Sequence, residues 1–404
     1  MIVRKNVGLR ITPILFVIGF LVCGYTSLRY FLYKTNPVVR FENFADNGSY
    51  ADTMQISCCG KSGYKIGQVD IKIDGTSVAG FPCCVSSKEF ELPIAIETSA
   101  LTNGKHKLEV VVVDKSFHAN THKSQHLFMV DNIPLEAEFS STEYEVNQGG
   151  TIHLKFKANK RIANAQVEFL SKKYPCCLVT PHELMYEAFI PTECEELPAQ
   201  RSVVVELHDH VGRELSKQAV ATIKPVEFPK QKGFTVSPEK LKEERSVSVS
   251  QDVLNQALEK WALQSTAEKK WSGSFDLPMV VQRFSTPYGE QRVNAERGRY
   301  QHRAVDIVNA PRSVVWASQN GTVIIKDRYA ISGNTVAIDH GMGVVTVYSH
   351  LDDFANIEVG DFIKKGNPVG KVGRTGFAVG YHLHWEVRVN NVPVDPLQWV
   401  KADF

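Results

Sequence analysis

Four of the chain's thirteen histidines, together with one aspartate, stand in spacings that can do metal chemistry. His302-Arg303-Ala304-Val305-Asp306 sets an imidazole and a carboxylate four residues apart. In a fully extended strand they would lie about 13 Å apart, too far to share one ion. They converge only if the chain turns between them, which the small Ala304 allows. His382-Leu383-His384 works differently. Side chains alternate along a strand, so both imidazoles face one side, about 6.5 Å apart along the backbone, while Leu383 and Trp385 face the other. Two such imidazoles can bind one metal, or one can bind while the other works on bound water. Glu386 shares their face and can orient an imidazole. His350 closes the β-type run GVVTVYSHL, and a strand end, where a loop begins, is well placed for a site. His340, in IDHGMG, is assigned to its turn. His208-Asp209-His210 repeats the same spacing where a strand runs into a turn; with no His-Asp motif beside it, it reads as structural.

The elements that must position these residues lie in the glycine-dense last third, where 13 of the 27 glycines fall between runs such as TVIIKD, NTVAIDHG and HLHWEVRV. That rhythm predicts a compact antiparallel β domain over 270–404, with glycines at the turns. It holds no cysteine, so thiolate chemistry is not expected there.

These motifs resemble the lysostaphin/LytM-type zinc metallopeptidases, which cut peptidoglycan cross-links. The resemblance covers about 270–404 and includes HRAVD, NTVAIDHG, TVYSHL, the segment IEVGDFIKKGNPVGKVGRTG (357–376) and HLHWE, in family order. It implies a fold of the duplicated hybrid motif type, with His302, Asp306 and His384 as Zn²⁺ ligands and His350 and His382 as catalytic histidines. Peptidoglycan peptide stems would be the substrate. Ala304 departs from the family's usual glycine in the middle of HxGxD, so the local turn is expected to differ slightly. Two imidazoles and one carboxylate would leave zinc an open fourth position. No H-E-x-x-H helix offers a glutamate base.

Upstream, residues 36–228 read as short alternating strands punctuated by turns. VVVVDKS with KSQHLFMVD (110–131) parallels VVVELHDHVG with SKQAVATI (203–223) at an offset of about 95 residues, so two tandem immunoglobulin-like sandwiches, 36–132 and 133–228, are expected. A polar linker, 229–269, follows. Within it DVLNQALEKWALQ aligns Leu254, Leu258, Trp261 and Ala262 on one helical face, with Ser250 as N-cap and Asp252 in the first turn. A connector helix packed on its neighbour is expected.

Ile11 to Leu28 is free of charge and framed by Arg10 and Arg29. As a helix it would span about 27 Å, close to a ~30 Å hydrocarbon core. A single membrane anchor in a segment 1–35 is the first reading. A cleaved signal peptide at Val22-Cys23-Gly24 is the second, and a lipobox at Cys23 the weakest. The flanking charges tie, so they do not orient it. Seven of the eight cysteines fall between 58 and 194, as three vicinal pairs and Cys194. Without CxxC spacing they do not suggest a zinc ribbon, and they suit bridges between strands in an oxidising compartment, or small buried thiols. The body of the protein is therefore expected outside the cytoplasmic membrane. With 46 basic against 44 acidic residues, the net charge of +2 excludes a nucleic-acid binder steered by bulk charge. Two functions remain: a membrane-anchored peptidoglycan endopeptidase, and a non-catalytic binding or hydrolase-activating scaffold. The complete ligand set favours the first, and stoichiometric zinc would discriminate between them.

Overall fold

The computed structural model describes residues 11–231, 253–262, 264–294 and 298–404. The chain is mainly β and divides between Pro134 and Leu135 into two compact units.

The first unit opens with helix Ile11–Leu32. The expected apolar run is therefore helical, yet among the described residues no helix is long and apolar enough to cross a membrane. The end of this helix carries Tyr25, Thr26, Ser27, Arg29 and Tyr30, which dilute its hydrocarbon character. Beyond it, a three-stranded sheet (Val38–Glu42, Thr53–Lys61, Glu89–Glu97) faces a six-stranded one built around the hairpin Gly104–Asp114/Thr121–Val130. Alternation puts Met54, Ile56 and Cys58 from one sheet against Val69, Ile71, Leu108 and Val110 from the other. All eight cysteines are free thiols, not the bridges that their pairing suggested. Cys58-Cys59 and Cys83-Cys84 lie in different sheets. Cys58 turns into the core, where burial pushes its thiol up to about 12, as expected for an inert buried sulfur.

The second unit begins with a sandwich of the same strand order. In the first unit, Ser49–Tyr50 pairs in parallel with Thr121–Val130, followed by Gly104–Asp114 and Ile66–Ile73; here Glu143–Asn147 pairs in parallel with Glu214–Lys224, followed by Gln200–Asp209 and Ile162–Phe169. The offset between Gly104 and Gln200 is that of the sequence repeat.

Residues 283–394 then form a ten-stranded antiparallel sheet, whose path runs Arg283–Thr286, Val305–Val308, Leu383–Val389, Val344–Phe354, Gly333–Asp339, Gly321–Tyr329, Phe362–Ile363. Its middle strands are covered on both faces. Val336, Ile338, Val344, Tyr348, Trp385 and Val387 point to the inner core. Ile324, Ile325, Ala337, Val345 and Val347 point outward, beneath Leu254 and Leu258 of a helix over 253–262. The connector helix thus packs as its periodicity implies; Ser250 and Asp252 lie outside the described residues. A short closing helix, Pro396–Lys401, was not anticipated, although Asp395 as N-cap and Pro396 at the first position signal it. The inner core is not confined to this sheet: Cys177, Phe189 and Cys194 of the sandwich share it with Trp271, Tyr288 and Trp399.

Candidate metal centre

Two neighbouring strands and one tight turn assemble the centre. Asp306 and His384 are directly opposed in the register between Val305–Val308 and Leu383–Val389, so their side chains share one face. His302 reaches them because the chain breaks between strand Gly298–Gln301 and strand Val305–Val308. The break is held by His302 N–H donating to the Glu290 carbonyl and by Gly289 N–H donating to the His302 carbonyl. Ala304 is buried and is not among the residues with positive φ, so alanine costs nothing where the family has glycine.

The ligand atoms form a nearly equilateral triangle. His302 Nε2 lies 3.2 Å from Asp306 Oδ1, His384 Nδ1 lies 3.0 Å from the same oxygen, and the two nitrogens are 3.3 Å apart. Four ligands in a tetrahedron about zinc at ~2.0–2.1 Å stand about 3.3–3.4 Å from one another. The triangle is one face of that tetrahedron, and two nitrogens with one oxygen suit zinc better than the hard, all-oxygen cations. His302, Asp306 and His384 are a zinc site. A second set, Glu42, Cys59 and Glu91, also brings three ligand atoms together, but Arg40 already pairs with Glu42 there.

The surroundings favour a positive charge at that point. Burial alone would raise the Asp306 carboxyl, but hydrogen bonds from His302 and His384 hold it well below the usual carboxylate range. Burial disfavours charge on His384, yet Asp306 on one nitrogen and Glu386 on the other push it up to about 9. Glu386, burial notwithstanding, is held at about 2, chiefly by Arg388. Both carboxylates thus favour positive charge at His384, the direction that suits a bound cation.

His350 and His382 flank the triangle. Their ring centroids are 4.8 Å apart, and His350 lies 5.8 Å from the His384 ring. His350 Nδ1 contacts the Thr375 carbonyl at 2.8 Å, and His382 Nδ1 the Gly380 carbonyl at 2.9 Å. A carbonyl only accepts, so in both rings Nδ1 carries a hydrogen and Nε2 is the nitrogen left over. For His382 that atom lies 3.9 Å from Asp306 Oδ1. Burial, then the charges of His384 and His382, push His350 down to about 3, so it stays neutral in neutral solution.

His350 does not close its strand as expected. It sits inside Val344–Phe354 at φ 61°, where the pairing register with Gly333–Asp339 shifts. Tyr348 points to the inner core, so strict alternation would send His350 there too; the left-handed residue turns it out beside His382, and Leu351 resumes the inward position. His340 is wholly buried, with Nδ1 donating to the Asn320 carbonyl, and serves the fold. His208 stands half-buried beside Glu214 and belongs to no metal cluster among the described residues. Sequence reasoning missed Arg292, whose Nη2 lies 3.8 Å from Asp306 Oδ2, and Thr375, which supplies a backbone atom only. It also missed Arg388, although the alternation that singles out His382, His384 and Glu386 reaches it next.

An open three-ligand zinc centre with two free imidazole nitrogens beside it, on an antiparallel sheet, defines a zinc-hydrolase type of site. Residues 300–396 match the family model described as Peptidase family M23, and this part of the chain is a catalytic domain of that family, of the lysostaphin/LytM type. The chain is 36% identical over 126 residues to the DD-carboxypeptidase/endopeptidase Mpg of Neisseria meningitidis, a match covering 31% of this chain and 29% of the relative. It is 31% identical over 120 residues to the peptidoglycan DD-endopeptidase ShyC of Vibrio cholerae, covering 30% and 28%. In both cases the match spans less than a third of the relative's length. Among solved structures, the lysostaphin catalytic domain from Staphylococcus simulans is 26% identical at a TM-score of 0.27, covering 30% of this chain and 92% of that one.

Proposed function

We propose that this protein is a zinc metalloendopeptidase that hydrolyses D,D-peptide cross-links of peptidoglycan. The observation that carries the proposal is the tetrahedral face made by His302, Asp306 and His384 with the imidazoles of His350 and His382 beside it. The DD-endopeptidase names of the relatives support the choice of bond.

Zinc at the triangle would supply Lewis-acid activation of water and of the scissile carbonyl. The chain's own residues do the rest. Nε2 of His350, with its lone pair free, takes the proton of the attacking water. Nε2 of His382, on the same side, donates a hydrogen to the carbonyl oxygen as charge develops there, and the proton that His350 took from the water passes to the leaving amine. Thr375 and Gly380 hold the two rings in the required tautomer through their carbonyls.

In this reading the catalytic domain is 270–404, the linker 229–269, and two immunoglobulin-like sandwiches, 36–132 and 133–228, carry it. Residues 11–28, within the segment 1–35, hold the chain in the cytoplasmic membrane with the body on the extracytoplasmic, periplasmic side. Retention after alkaline washing, together with an active phosphatase fused after Phe404, would bear out this topology; an active cytoplasmic reporter at that position would refute it.

The activity is tested by incubating the full chain with purified sacculi and reading the released muropeptides by mass spectrometry. Loss of cross-linked dimers, abolished by chelator, is the expected result. Intact dimers in the presence of a zinc-loaded chain would instead mean the non-catalytic scaffold.

A further inference from the structure

The metal triangle and the linker helix lie on the same face of the sheet, and an unbroken line of polar contacts joins them. It runs along strand Leu383–Val389, whose alternate residues His384, Glu386 and Arg388 point outward while Leu383, Trp385 and Val387 fill the inner core. His384 offers Nδ1 to the triangle and contacts Glu386 Oε1 through Nε2 at 3.1 Å. The other Glu386 oxygen accepts from Arg388 Nε at 2.6 Å. Arg388 Nη2 then donates to Asn255 Oδ1 at 3.0 Å, and Nη1 to Asn391 Oδ1 at 3.1 Å. Glu386 and Arg388 are buried, so neither has bulk water as a substitute partner. Asn255 belongs to the helix over 253–262, from the linker and not from the sheet.

The helix does not need Asn255 in order to dock. Leu254 and Leu258 are essentially inaccessible and already bury an apolar stripe on Ile324, Ile325, Ala337, Val345 and Val347. A polar side chain between that stripe and Arg388 has a directional consequence instead. A guanidinium is a rigid fork, so fixing its outer nitrogen fixes the plane in which Nε meets Glu386. Glu386 in turn sets the tautomer and plane of the His384 ring, and a ligand held in plane loses less on binding metal.

We infer that the linker helix is a working part of the metal centre: through Asn255 it braces an Arg388–Glu386–His384 relay and thereby sets the zinc affinity of the site. Asn255 and Arg388 are positioning residues. The inference rests on His302, Asp306 and His384 being the zinc ligands, and it assigns the linker the role of a brace behind the site.

The test is zinc affinity, measured on the full chain by competition with a chelator of known strength, alongside melting of the metal-free protein. Glu386→Gln should weaken binding by the ~10–100-fold typical of a lost outer partner. Asn255→Leu, two hydrogen bonds beyond Glu386, should weaken it by roughly 3–10-fold with the metal-free melting temperature unchanged, and Asn255→Asp should restore it to within about twofold. Leu258→Ala, which thins the apolar contact and leaves the relay intact, should lower the melting temperature with a smaller effect on zinc than Asn255→Leu. Wild-type affinity in Asn255→Leu, with Glu386→Gln impaired, would end the relay at Arg388 and overturn the inference. Equal losses in Asn255→Leu and Leu258→Ala would overturn it too, since docking alone would then be responsible. A wild-type chain that binds no zinc would sink the ligand assignment itself, an outcome distinct from either.

Discussion

His382 and His384 are two residues apart, yet they turn different nitrogens to the site. His384 presents Nδ1, because Glu386 holds its Nε2; His382 presents Nε2, because the Gly380 carbonyl holds its Nδ1. Only the first belongs to the tetrahedral face. His384→Ala should therefore remove zinc and activity together, as metal analysis after gel filtration would show. His382→Ala and His350→Ala should each retain one zinc per chain while turnover falls by about 10²–10⁴, the range for a lost acid–base group. Zinc lost from His382→Ala and kept in His384→Ala would reverse the assignments. At this scale the pattern of residue types was a sufficient guide: alternation alone puts His382, His384 and Glu386 on one face. It was no guide to Thr375, whose contribution is a carbonyl that any residue possesses. Nor could it reveal Arg292, which reaches Asp306 from the separate strand Gln291–Asn294.

Among the elements, strand Val344–Phe354 shows where legibility stopped. Its β-branched, fully buried run was readable, but the left-handed turn at His350 was not, because nothing in TVYSHL departs from ordinary strand composition. The kink is supported from outside the strand. Gly333 has φ 64°, and a Cβ there would run into the backbone and hydroxyl of Thr375, the residue whose carbonyl holds His350. Thr375 is itself fixed by its hydroxyl donating to the Leu351 carbonyl at 2.7 Å. Gly333→Ala should thus cost on the order of 1–3 kcal/mol in stability from its positive φ and, by displacing Thr375, lower turnover with zinc content unchanged. Melting curves, metal analysis and kinetics on one preparation would check all three. Full activity in this variant would mean that Thr375 does not position His350.

In the molecule as a whole, the sandwich and the sheet of the second unit are joined by more than their shared core. Gln398 exchanges two hydrogen bonds with the backbone of Thr151, Asn390 donates to the Phe189 carbonyl, and Lys269 meets Glu187 at 2.9 Å. Glu187 is buried, with His153 Nε2 also 3.1 Å away. Burial by itself would raise its carboxyl, but His153 and Lys269 hold it at about 2, below the ordinary 4.5. A lowered folded-state value adds stability above pH 4.5 and loses it as pH falls toward 2. Glu187→Gln should consequently lower the melting temperature at pH 7, by an amount equivalent to about 3–5 kcal/mol for a broken buried pair. The gap to the parent protein should close as the pH approaches 2; a gap independent of pH would mean that packing, not charge, is lost. None of the contacts from sandwich to sheet could be read from composition, since Gln398–Thr151, Asn390–Phe189 and Lys269–Glu187 each join residues more than 80 positions apart.

The core of the catalytic sheet reaches beyond the residues that match the peptidase family, 300–396, and takes in Phe189, Cys194, Trp271, Tyr288 and Trp399. Phe189 of the sandwich packs on Trp271 and Trp399 at centroid distances of 5.5 and 5.4 Å. A fragment cut at residue 229 or at 270 would lose Phe189 from Trp271 and Trp399, together with the partners of Gln398 and Asn390. The unit that heredity can shuffle intact is therefore 135–404: a recombination joining this catalytic sheet to a foreign stalk would tear through its interior. Descendants of this chain that keep Phe189, Trp271 and Trp399 in contact should keep sandwich and sheet as one inheritance.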